Sequence, residues 1–168
     1  MAKRKELNGA NLIVRDSDKR ILVHRELTRK KFWMLPGGGV ERGESPRHAA
    51  QSETEEETGI ETDEATYRFI GFFIQKPSGT VFLYETNRYS GELITEPNEE
   101  SSEACFLSLE EIVRQQEEFR TSSLRMILRY LRCVNGVDDI PYEGRLSDPV
   151  EFPANLQIAE FSSLVLRV

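Results

Sequence analysis

Apolar positions along the chain follow two different periods, and the change of period marks the elements. NLIVRDSDKRILVHREL (11–27) holds two apolar strand segments around a polar turn at Asp16–Lys19. FWML (32–35) is a short apolar segment that runs into PGGG, and GVERGES after it reads as a turn-rich loop. YRFIGFF (67–73) and TVFLYETNRY (80–89) are rich in β-branched and aromatic residues, and QKPSG between them predicts a hairpin. ACFLSL (104–109) predicts another strand. The spacing turns helical in LEEIVRQQ (109–116) and SSLRMILRYLRCV (122–134), where Leu124, Ile127, Leu128 and Leu131 share a face. Residues 136–157 carry Pro141, Pro149 and Pro153 and predict an irregular connection. In the final SSLVLRV, Leu164, Leu166 and Val168 alternate and predict a strand on a sheet edge of its own subunit or of a partner's, the latter giving a homodimer through the C-terminal segment. Interleaved strands and helices of this kind predict an α/β fold, a mixed β-sheet with helices on its faces.

One helix breaks the usual pattern. Ser45-Pro46 supplies an N-cap and a first-turn proline, and Gly59 supplies a stop, which predicts a helix over 46–58. A helix advances about 100° per residue. On that wheel Pro46, Ala49, Ala50, Glu53, Glu56 and Glu57 fall on one side and Glu55 points away. The apolar face is thus made of small residues and continues into three carboxylates, close to a helix end where both mutual repulsion and the macrodipole oppose them. A solvated surface helix would need an apolar stripe elsewhere, and the opposite side is Arg47, His48, Gln51, Ser52 and Glu55. Oxygen ligands of this type suit Mg²⁺ or Mn²⁺, and a divalent cation would offset the repulsion.

Composition narrows the classes. The 168 residues fit one domain with a core of its own, and 38% hydrophobic with 30% charged residues is an ordinary globular balance. A net charge of −7 argues against tracking a nucleic-acid backbone or an anionic membrane. Cys105 and Cys133 lack metal-site spacing and read as inert core thiols. The basic start MAKRKELNGA has no apolar stretch of signal-peptide type, and FIGFF (69–73) is too short to span a bilayer, so the expected location is cytoplasmic.

The stretch GGVERGESPRHAAQSETEEETGI (38–60) resembles the Nudix box, G-x5-E-x7-R-E-U-x-E-E-x-G-U with U a bulky apolar residue; Gly38, Glu44, Glu53, Glu56, Glu57, Gly59 and Ile60 stand in register. The resemblance implies a Nudix (MutT-like) fold over residues 6–134, between a basic tail at 1–5 and a proline-containing extension at 135–168. It implies hydrolysis of a diphosphate linkage in a nucleoside diphosphate derivative with Mg²⁺ or Mn²⁺. The substrate would be a small nucleotide: a nucleotide sugar or ADP-ribose-like compound, or a nucleoside triphosphate. Carried over by position, Glu53, Glu56 and Glu57 would face the metal and Glu53 or Glu57 would help activate water. Glu44 would support the loop or a ligand water, and a Gly37–Gly38 turn would bring backbone carbonyls near the metal.

Two positions depart from the box. Ser52 stands at its arginine and Thr54 at its apolar residue. In the family that arginine helps hold the glutamates. Arg42 and Arg47 are the basic residues nearby, but Arg47 is five residues back and about 140° away on the wheel. The departure points to a slow enzyme, and it keeps open a nucleotide-binding or regulatory domain with weak turnover. Elsewhere, Glu103 is a candidate for the metal site or the base, Phe32 and Trp33 for stacking on a base or for core, and Arg25 for a phosphate. His24 and His48 read as structural or exposed. Pro77 lies near a position that some ADP-ribose-hydrolysing relatives fill with proline, although a hairpin turn alone explains it.

Overall fold

The computed structural model describes residues 8–25, 32–75, 79–96 and 103–134. The basic tail at 1–5, residues 97–102, Pro77 and the extension at 135–168 lie outside the described residues, and with them the expected C-terminal strand and any dimer through it. The chain runs β1 (Gly9–Val14), β2 (Ile21–Arg25), β3 (Trp33–Met34), β4 (Gly37–Gly39), α1 (Pro46–Thr58), β5 (Ile60–Thr62), β6 (Arg68–Gln75), β7 (Gly79–Thr86), β8 (Tyr89–Gly91), β9 (Ala104–Leu107), α2 (Leu109–Arg114) and α3 (Thr121–Val134).

The larger sheet has the order β4-β1-β7-β6. It is mixed, because β1 runs parallel to β7 while β4 and β6 pair antiparallel to their neighbours. A second sheet, β3-β2-β9, is antiparallel, and β5 pairs with β8. The β6–β7 hairpin appears where QKPSG predicted it. The polar turn after β1 passes the chain from one sheet to the other. There the Asp16 carboxylate accepts the backbone N–H groups of Asp18 and Arg20, and Lys19 takes a positive φ of 66°.

Among the described residues, two apolar clusters form the core. One lies between the sheets, α2 and α3 and includes Ile13, Phe73, Leu83, Ile112 and Ile127. On α3, Leu124, Ile127 and Leu131 are buried as their spacing predicts; Leu128 is half-buried, and Met126 and Tyr130 also enter the core. The other cluster lies under α1, where Ala49 and Ala50 meet Ala10, Leu12, Leu22 and Val40. The sheets therefore sit with α1 and α3 packed on different parts of the core, as the interleaved pattern predicts. No helix among the described residues is long and apolar enough to cross a membrane.

Candidate active site at the helix–glycine strand junction

Local signals fix α1. Ser45 Oγ accepts the His48 N–H, Pro46 opens the first turn, and Gly59 closes the helix at φ 76° with its N–H on the Glu55 carbonyl. The packed face differs from the expected one. Besides Ala49 and Ala50 it contains Thr54 and Thr58, both fully buried. Each threonine hydroxyl donates to the carbonyl one turn back, Thr54 to Ala50 at 2.6 Å and Thr58 to Thr54 at 2.5 Å. With the hydroxyl satisfied inside the helix, the methyl packs outward, so Thr54 fills the apolar position of the box. The carboxylates flank this stripe rather than continue it. Glu53 and Glu57 are half-buried, while Glu56 is exposed alongside Glu55.

The glycines form a strand, not the expected turn. Gly37, Gly38 and Gly39 pair with Asn11, Ala10 and Gly9 of β1. Asn11 Nδ2 donates to the Pro36 carbonyl at 3.2 Å and secures the entry. Gly37 has φ 145°, and a Cβ there would fall 2.2 Å from the Ala10 carbonyl oxygen. Its N–H donates to Glu57 Oε2 at 2.9 Å. At Gly38 a Cβ would fall 2.3 Å from Glu53 Oε1, so the Glu53 carboxylate occupies the space that a side chain would take. The two glutamates are thus seated on adjacent glycines of one strand.

Burial pushes the Glu53 carboxyl up to about 6, and the like charges of Glu57, Glu56, Glu44 and Glu41 add to the effect. Glu44 closes the preceding loop, with Oε2 accepting the Glu41 N–H at 2.8 Å. Among the described residues no three acidic, histidine or cysteine side chains stand close enough together to clasp a metal as placed. The donor set nevertheless suits a hard cation: two half-buried carboxylates crowded by neighbours of the same sign, over a backbone that glycine leaves open.

The contacts described for the other sequence candidates do not involve Glu53 or Glu57. Trp33 is 5% exposed in the core, and the Arg25 guanidinium lies over its ring at 4.3 Å while reaching Glu118 at 3.1 Å. Phe32 is half-buried beside them in sequence. Glu103 leads into β9, and its carbonyl accepts the Arg25 N–H at 2.8 Å. Arg47 points to the far side of α1, where Nη1 donates to the carbonyls of Glu64 and Tyr67 and the guanidinium stacks on Tyr84. Ser52 Oγ donates to the His48 carbonyl, and Arg42 is exposed. Cys105 and Cys133 are free and half-buried, and burial pushes the Cys105 thiol up to about 11, in keeping with inert thiols.

The residue that sequence reasoning missed is His24. It is 2% exposed, and its Nε2 lies 3.1 Å from Glu57 Oε2. The signal was the alternation in β2: His24 lies on the same side as Leu22, the side that α1 covers.

The NUDIX domain model matches residues 5–130, and the chain belongs to that family. An RNA pyrophosphohydrolase of Pelagibacter ubique is 31% identical over 87 residues, covering 51% of this chain and 55% of the relative. The chain spans about half the length of that relative. Among solved structures, the MutT protein of Methanosarcina mazei superposes with a TM-score of 0.60 at 21% identity, over 79% of this chain and 97% of the other. The bifunctional NMN adenylyltransferase/ADP ribose pyrophosphatase of Francisella tularensis, complexed with AMP and a Mn ion, gives 0.61 at 17% identity over 79% and 43%. These likenesses show the fold, a mixed sheet with helices as in MutT proteins.

Proposed function

We propose that this chain hydrolyses the diphosphate linkage of a nucleoside diphosphate derivative with the help of Mg²⁺ or Mn²⁺. The seating of Glu53 and Glu57 against Gly38 and Gly37 carries the proposal. Those two carboxylates would hold the cation, with Glu56 at the exposed rim and Glu44 bracing the loop. When bound, such a cation offsets the charge of the diphosphate and makes water a better nucleophile near neutral pH. The protein's own part is to position groups around an in-line attack on phosphorus. Glu57 Oε2 is already engaged by the Gly37 N–H, so Glu57 is a fixed point of the site. Glu53 lies in the space over Gly38, and Glu53 or Glu57 would help to activate water. Arg25 and Trp33 are engaged with each other and receive no substrate contact in this scheme.

The net charge of −7 favours a small nucleotide over a long polyanion. A relative is named RNA pyrophosphohydrolase and a structural neighbour ADP ribose pyrophosphatase, so the discriminating screen offers a nucleoside triphosphate, ADP-ribose, a nucleotide sugar and a 5′-triphosphorylated RNA oligomer, each with Mg²⁺. Release of a mononucleotide or pyrophosphate from one of the small compounds supports the proposal. Saturable binding without product would favour a binding domain, the reading that Ser52 at the arginine position keeps in play.

A further inference from the structure

We propose that His24 is a positioning residue for Glu57 and does in this chain the orienting work for which Ser52 is too short. This inference rests on the reading of Glu53 and Glu57 as the reactive pair. It starts from an unusual placement. His24 sits on β2 under α1, almost wholly buried, in a row whose other member, Leu22, is ordinary core. A ring there has to face a polar partner or go without one. Its Nε2 comes within 3.1 Å of Glu57 Oε2, yet the ring is turned off the line of a good hydrogen bond, and neither ring nitrogen has one among the described residues. A carboxylate oxygen only accepts, so a small rotation of the ring that aims an Nε2–H at Oε2 would complete the bond.

The same Oε2 accepts the Gly37 N–H. Glu57 is therefore flanked at one oxygen by the Gly37 N–H and by the imidazole. Of the two basic residues near the box in sequence, Arg47 is bonded to the carbonyls of Glu64 and Tyr67, and Arg42 is exposed. Ser52 itself turns back onto its own helix. A group that fixes a ligating carboxylate without touching the substrate changes metal affinity or activity by about ten- to a hundredfold when removed.

The test uses the full chain with Mn²⁺ as probe. Mn²⁺ binding is followed by electron paramagnetic resonance, alongside kcat, KM and Tm, for wild type, His24→Leu and His24→Gln. The expected result is a ten- to hundredfold weaker Mn²⁺ binding and a similar fall in kcat for His24→Leu, with KM changed less. His24→Gln, which keeps an N–H donor, should recover most of both. Wild-type Mn²⁺ affinity and kcat in His24→Leu would overturn the positioning role while leaving the proposed function standing. No Mn²⁺ uptake and no turnover by wild type would overturn both. Should His24→Leu fail to fold, the ¹⁵N shift of His24 Nε2 decides: it should move in Glu57→Gln and stay in Glu55→Gln, and an unmoved signal in Glu57→Gln would overturn the inference.

Discussion

Three consecutive glycines make a sharp experiment, because alanine should have a different effect at each. At Gly38 a Cβ would lie 2.3 Å from Glu53 Oε1 and 2.4 Å from Cδ, and the backbone there is outside the left-handed region. The obstacle is the end of a flexible side chain, so the fold can accept alanine if the Glu53 carboxylate retreats by about 1 Å to an ordinary contact. A displacement of that size at a catalytic group costs roughly a hundredfold in rate, or about 2.7 kcal/mol of transition-state stabilisation. Gly38→Ala should therefore lose about a hundredfold in kcat and bind Mn²⁺ more weakly, with Tm close to wild type. At Gly39 nothing lies within 4 Å of a built Cβ, and Gly39→Ala should be silent in every assay. At Gly37 the Cβ would strike the Ala10 carbonyl at φ 145°, so Gly37→Ala should lower stability by about 1–3 kcal/mol from backbone strain alone and more from the clash. Thermal melts, Mn²⁺ titration and steady-state kinetics on the three variants give the pattern. Equal kcat in Gly38→Ala and Gly39→Ala would refute the seating of Glu53 as a functional feature.

Further outcomes follow from the same contacts. Glu53 holds its proton more tightly in the fold than in the unfolded chain, so its contribution to stability is full below about pH 4.5 and is lost as pH rises through about 6. In EDTA, Glu53→Gln should thus gain in Tm over wild type at pH 7 relative to pH 4.5, and an equal difference at both would contradict the assignment. Arg47→Ala strips donors from the Glu64 and Tyr67 carbonyls and should destabilise by about 2 kcal/mol in denaturant melts while leaving kcat unchanged. Thr54→Val removes a hydroxyl whose only described partner is the Ala50 carbonyl of its own helix, and should change stability by less than about 1 kcal/mol in the same melts.

What was legible in the sequence was what local chemistry decides. The ends of α1 follow from Ser45, Pro46 and Gly59, each acting within one turn, and the β6–β7 hairpin follows from a short connection between two apolar runs. The threonine stripe escaped because counting apolar residues hides Thr54 and Thr58, whose hydroxyls are absorbed by their own helix. The glycine strand and the His24–Glu57 contact escaped for another reason. Both depend on elements distant in the chain meeting in space, β4 on β1 and β2 under α1, and no local pattern records such a pairing. Helical phase grouped Glu53, Glu56 and Glu57 on one side, but it did not show that Glu56 is the exposed one, because the centre of the packed face lies toward Thr54.

The half-buried carboxylates of α1, not its exposed ones, are proposed to hold the cation on which hydrolysis depends. The direct measurement compares Glu57→Gln with Glu55→Gln for product release from the nucleotide that wild type turns over, with Mg²⁺ and with EDTA. The account predicts product from wild type and Glu55→Gln with Mg²⁺, little from Glu57→Gln, and none from any of them in EDTA. Equal rates for the two variants, or undiminished product in EDTA, would contradict it.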